Sequence, residues 1–148
     1  MSSTFSPDAA RKIDGPSWLV DRRVAAAERL RERAVPTVAD EEWRYSPIAK
    51  LDLDAFSPSD AFGDAPMARL NIEPAATVRC VNGKVVSIEV SDALVDQGVF
   101  VGLLTDHADG ESALGSVSDD AGDYFTQLND AFTPYPLLVD IPKGVTVD

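Results

Sequence analysis

The chain has 148 residues, 45% of them hydrophobic, with one cysteine, one histidine and a formal net charge of −12. That length supports one domain, or a compact pair of subdomains, with a core that needs no covalent staples. A single thiol excludes an intrachain disulfide and a cysteine-built metal cluster and fits a reducing cytoplasm, while the acidic balance repels phosphate backbones and so excludes nucleic acid as a partner.

Residues 1–7 carry no basic, apolar signal-peptide pattern, and no run approaches the ~18 apolar residues of a membrane helix. Ser6 is placed to cap a short helix, with Pro7 at its first position and Asp8 in its first turn. That helix is expected to run to Ile13 and stop near Gly15. A longer one is expected from Pro16 to Arg33. On it Leu19, Val20, Val24, Ala26, Ala27 and Leu30 fall on one arc. Arg22, Arg29 and Arg33 form a stripe on one flank, and Asp21, Glu28 and Glu32 a stripe on the other. Two readings fit the arginine stripe, a solvated face and an oriented interaction face. Arg23 falls inside the apolar arc, where it must snorkel or pair. Pro36 ends the helix by pushing Val35 out of the α region.

The stretch Asp40-Glu41-Glu42-Trp43-Arg44-Tyr45 concentrates aromatic mass and charge. Trp43 and Tyr45 are expected to be buried, the first substantially and the second in part. Ile48, Leu51, Leu53 and Phe56 follow at the spacing of a helical turn running into an extended piece, and Asp52-Leu53-Asp54 alternates like a strand edge. The stretch reads either as a packed connector with a surface ion pair or as a docking surface, because Trp, Tyr and Arg dominate interface hot spots. Arg22, Arg29, Arg33, Trp43, Arg44 and Tyr45 are therefore the candidate protein-interface residues. Residues 57–70 are rich in Ser, Pro, Asp and Gly and read as a surface loop that closes a helical front at residue 56.

From Ala75 to Val90 the pattern is a hairpin around Asn82-Gly83. A two-residue loop would pair Val81 with Lys84 and Arg79 with Val86, mixing the faces. A three-residue loop, Val81-Asn82-Gly83, pairs Cys80 with Lys84, Val78 with Val86 and Ala76 with Ile88. That register gives one apolar face and is the expected one, with Gly83 at positive φ in a bulge. Cys80 would then be buried filler. Gly98–Leu104 reads as a further strand of a small β region over 71–118. Residues 105–118 read as loop or short helix. In the last segment, 119–148, Asp119 or Asp120 is placed to open a helix through Phe132 with Tyr124, Phe125, Leu128, Ala131 and Phe132 as its stripe. Leu137–Ile141 and Val145–Val147 read as strands.

No stretch carries catalysis. Phosphate-loop spacings and His-Glu-x-x-His are absent. An EF-hand alignment on Asp109-Gly110 puts Thr105 and Ser116 where carboxylates are required, and fails. His107 reads as a solvated side chain in an acidic loop. No catalytic, cofactor-binding or metal site is expected, and no cofactor. Residues 1–50 carry a net charge of +1 and residues 51–148 one of −13. Solubility or a salt-tolerant host is the simpler reading of this; a basic protein partner is the alternative.

Several of these pieces together resemble one family. Pro16, Trp18, Leu19, Arg23, Ala26, Pro36, Thr37, Glu41, Glu42, Trp43, Arg44 and Tyr45 match the N-terminal region of SufD, in the SufB/SufD family of iron–sulfur cluster assembly scaffolds. The pieces around Arg79–Ile88, Gly98–Leu104 and Phe125–Asp148 follow in the family's order. Thr133-Pro134-Tyr135-Pro136 departs from it, standing where members carry a glycine turn. The resemblance implies an α+β fold with N-terminal helices, a small β centre, and a helix leading into the first strands of a truncated parallel β-helix. It implies a non-catalytic front end of a cytoplasmic scaffold that works with SufB-like and SufC-like subunits, since the family's cluster-building and ATPase-gripping residues lie far downstream. If so, the strands over 136–147 lack the rung that would cover them, and they are expected either to self-associate or to stay frayed.

Overall fold

Ser6 opens the first helix as its sequence requires: its side chain accepts a hydrogen bond from Ala9 N–H at 3.3 Å, and Pro7 occupies the first helical position. The computed structural model describes residues 4–58, 73–117 and 122–147. They form two units, one of residues 1–59 with 115–133, the other of residues 60–114 with 134–148. The loop read over 57–70 lies almost wholly outside the described residues.

The first unit is helical. Helices α1 (Pro7–Arg11), α2 (Ser17–Arg31) and α5 (Tyr124–Phe132) pack around Ala10, Ala26, Ala27 and Ala131, all fully buried, with Val24 and Phe132 against them. Alanines at the crossing let the backbones approach closely, and Phe5 closes one end by setting its ring edge-on to Phe132, 5.0 Å between centroids. α1 and α2 each stop two residues before the expected end. Leu19, Ala26, Ala27 and Leu30 are buried as the arc predicted, and so is Arg23, with no exposed surface. Arg23 does not snorkel. Its Nε donates to Thr133 O at 3.0 Å, and its Nη1 donates to Ile13 O at 3.1 Å and Asp14 O at 3.0 Å. The guanidinium thereby ties the α1–α2 turn to the end of α5.

α5 begins at Tyr124. The openings foreseen at Asp119 or Asp120 lie outside the described residues, and the N-cap is Asp123, whose Oδ1 accepts from Thr126 N at 2.7 Å. Its buried residues are Tyr124, Gln127 and Ala131; Phe125, Leu128 and Phe132 of the expected stripe are half-buried. Gln127 was not foreseen. It is fully buried, and its Oε1 accepts from Arg29 Nε at 3.1 Å, which is the condition for burying an amide.

The second unit holds two separate antiparallel sheets, β1 (Ala76–Val81) with β2 (Lys84–Val90) and β3 (Phe100–Leu103) with β4 (Leu137–Asp140). The expected hairpin register is wrong. Val81 pairs with Lys84 across a two-residue turn in which Asn82 and Gly83 have φ of 50° and 78°. Positive φ at both positions is the turn whose twist matches the strands, and Asn-Gly adopts it most readily. A bulge then takes up one residue: Cys80 pairs with Val85 but Arg79 with Ser87, so Val86 has no partner in the ladder. Past the bulge Val78 faces Ile88 and Ala76 faces Val90, while Arg79, Thr77, Ser87 and Glu89 share the other face. The two faces separate by polarity after all, through a bulge rather than a longer loop. Cys80 lies on the loop side of the bulge and is exposed, not buried filler.

Helix α3 (Asp92–Asp96), not foreseen, ends at Gly98, whose φ of 81° lets Gly98 N reach Val95 O at 2.9 Å and Val99 N reach Leu94 O at 3.0 Å. A 3-10 turn over Leu104–Asp106 and helix α4 (Gly110–Ala113) follow β3. β4 pairs antiparallel with β3, Phe100 opposite Asp140 and Leu103 opposite Leu137. A parallel β-helix rung is therefore not what these strands form. The second strand expected, Val145–Val147, is absent: Pro142 cannot donate to a ladder, and Gly144 at φ 88° closes a turn in which Val145 N donates to Pro142 O at 3.1 Å.

Candidate interaction surface

Thr37 and Asp40 build the turn that carries Trp43. Asp40 Oδ2 accepts from Thr37 N at 2.7 Å and from Thr37 Oγ1 at 3.2 Å, and Asp40 N donates to Thr37 O at 3.1 Å. The chain then makes one 3-10 turn, Glu41–Trp43, closed by Trp43 N donating to Asp40 O at 3.0 Å. Ser46 seals its far side, its N and Oγ both donating to Trp43 O. The result is an irregular segment braced by local hydrogen bonds.

Only Trp43 of this turn faces inward. Its ring is half-buried and lies 4.9 Å from the ring of Phe125, tilted by 58°; Phe125 in turn stands edge-on to Tyr124 at 5.4 Å. Tyr45 is 91% exposed, which overturns its expected burial. Arg44 and Glu41 form the surface ion pair foreseen, at 2.8 Å, and both remain largely exposed. Downstream, Ile48 is buried at the head of a 3-10 turn, but Leu51 and Phe56 are exposed. Asp52-Leu53-Asp54 is not a strand edge: Asp52 caps a 3-10 turn by accepting from Asp54 N at 3.0 Å.

A cleft of about 310 Å³ opens beside Trp43, lined by residues 33–36, Asp40, Glu42, Trp43, Asp123 and Tyr124. Asp123 is held below the usual carboxylate range, first by the Thr126 N–H that it caps and further by the Arg33 guanidinium. Burial pushes the Tyr124 phenol up.

The arginine stripe does not present one outward face. Arg29 is spent on Gln127. Arg22 packs over Gly115, where an added Cβ would collide with its guanidinium. Arg33 sits at the cleft. The six candidate interface residues thus fall into two groups: Arg22, Arg29, Arg33 and Trp43 are tied to other parts of the helical unit, whereas Arg44 and Tyr45 project from it.

The other chemistry-bearing side chains lie in the second unit. His107 is not a solvated side chain. Its ring packs 4.8 Å from Phe100, its Nδ1 accepts from Asp109 N at 3.2 Å, and its Nε2 stands 3.6 Å from Asp140 Oδ2. It fastens the loop after β3 to the end of β4. Among the described residues no three His, Cys, Asp or Glu side chains gather as metal ligands, and no helix is long and apolar enough to cross a membrane.

Comparison with protein-family models, curated proteins and solved structures finds no match to this chain. The braced turn carries one aromatic anchored on Phe125, Trp43, and another left in solvent, Tyr45. Tyr and Arg are hot-spot residues when a partner covers them.

Proposed function

We propose that the chain is the N-terminal part of a SufD-like, cytoplasmic scaffold for iron–sulfur cluster assembly, non-catalytic by itself, that docks SufB-like or SufC-like subunits. The observation that carries this reading is how the resembling residues divide. Leu19, Arg23 and Ala26 lie in the core, so part of the motif is accounted for by folding. Glu41, Arg44 and Tyr45 are exposed; Glu41 and Arg44 pair with each other, but the fold gives no reason for a Tyr there. The Glu41–Tyr45 turn is then the docking element, with Trp43 as its internal anchor. β4, paired antiparallel with β3, belongs to this reading as the entry to further strands rather than as a rung.

Co-expression with the SufB-like and SufC-like subunits of the same genome tests the proposal. The chain is expected to co-purify with at least one of them, and Tyr45→Ala to reduce recovery without unfolding it. Recovery of neither subunit overturns the reading. The reading frame after Asp148 offers an independent test, since a β-rich continuation fits a scaffold subunit. A stop there favours a second reading, a free-standing acidic module for a basic protein partner, which rests on the net charge of −13 over residues 51–148.

A further inference from the structure

We infer that the cleft between the end of α2, the Trp43 turn and the start of α5 receives a basic side chain, an Arg or Lys presented by a partner polypeptide. The inference stands on the cleft and not on the family reading. A volume of about 310 Å³ is at the low end of ligand pockets, the size for one long side chain rather than a nucleotide.

The lining divides by chemistry in the way such a side chain does. Val35 and Pro36, with the Trp43 indole, supply apolar surface for the methylenes of the stem. Three carboxylates, Asp40, Glu42 and Asp123, line the same cleft with one guanidinium, Arg33, leaving two negative charges in excess. An anion entering there meets net repulsion, whereas a cation gains from the charges.

This is more than a gathering of acids, because two of them are positioned by the fold. Asp40 Oδ2 is fixed by the Thr37 N–H, and Asp123 Oδ1 by the Thr126 N–H, both at 2.7 Å. These bonds hold the two carboxylates in place at the edge of the cleft. Trp43 is held against Phe125. The only loose carboxylate is that of Glu42, which makes no hydrogen bond or ion pair among the described residues. A site with two carboxylates and one ring fixed in advance loses little entropy when it closes on a guanidinium or ammonium.

The probe is a blocked Gly-Arg-Gly peptide titrated into the whole chain carrying Trp18→Phe, so that fluorescence reports Trp43 alone, with amide and indole N–H shifts followed in parallel. Saturable millimolar binding that moves the Trp43 indole and the Tyr124 amide is expected, with no effect from blocked Gly-Glu-Gly. Glu42→Gln, which breaks no bond of the fold, is expected to weaken binding about two- to fivefold, the scale of one exposed charge pair. The inference is overturned if the Arg peptide gives no saturable change, if the Glu peptide binds equally well, or if Glu42→Gln leaves the affinity unchanged.

Discussion

Arg23 and Tyr45 show how far single residues can be read. The sequence marks Arg23 as the one charge in an apolar arc, and therefore as a residue in need of partners. It cannot say that the partners are backbone carbonyls, one of them on Thr133. Arg23→Met is expected to cost about 3 kcal/mol, because charged hydrogen bonds are lost and carbonyls are left without donors. Urea denaturation measures it, and a cost below about 1 kcal/mol would mean that water replaces the guanidinium. Trp43 and Tyr45 were read as a buried pair, since both are large and amphipathic. The difference between them arises from a ring 82 positions away, Phe125, that only Trp43 reaches. Trp43→Ala is accordingly expected to cost about 3 kcal/mol, and Tyr45→Ala less than about 0.5 kcal/mol, as for an ordinary surface site. Equal losses for the two in thermal or chemical unfolding would contradict this placement. Gln127 escaped notice because a stripe search counts apolar residues, whereas its burial rests on polar partners such as Arg29.

Among the elements, the α1 cap and the place of the hairpin were the most legible, and its turn length and ladder register were the least. Ser6-Pro7 and Asn82-Gly83 act within a few residues, so their signals survive without tertiary context. The register of β1 and β2 depends on a bulge near Val86, which nothing local announces. Gly83, at φ 78°, has only ordinary contacts for an added Cβ, the nearest being Pro134 Cδ at 3.4 Å. Gly83→Ala therefore tests the backbone alone and is expected to destabilise the chain by about 1 kcal/mol, read from the urea midpoint. Asp123 gives the corresponding test for α5. Losing this cap is expected to cost about 1 kcal/mol in Asp123→Ala. Its carboxyl titrates below the ordinary value of 3.8, so its stabilisation is present in full above that value. It is lost as pH falls through the lower, folded-state pKa. The gap in stability between wild type and Asp123→Ala is expected to close on acidification. A gap that widens toward acid would show the capping assignment to be wrong.

For the molecule as a whole, the sequence conveyed a mixture of helices and strands, and the structure has both. It did not convey that α5 belongs with α1 and α2, because that grouping depends on alanine contacts spanning most of the chain. Nor did strand propensity distinguish an antiparallel partner from a rung of a solenoid. Leu137, Val139 and Ile141 are 40%, 53% and 46% exposed, and β4 has a strand on one side only among the described residues. The chain is therefore expected to self-associate through β4, more so as salt screens the net charge of −12. Light scattering across a salt series measures this, with Val139→Lys as the control that should return the monomer. A monomer at every salt concentration, with β4 amides strongly protected, would sink the idea.

The Arg23–Thr133 hydrogen bond also bears on the order in which the protein is made. Synthesis delivers α1 and α2 first, but Ala131 and the Thr133 carbonyl, which complete their packing, emerge only after the whole of β1 through β3. α1 and α2 can meet through Ala10, Ala26 and Ala27 as soon as both are made, but their seam on α5 and the third bond of Arg23 close only once residue 133 has been added.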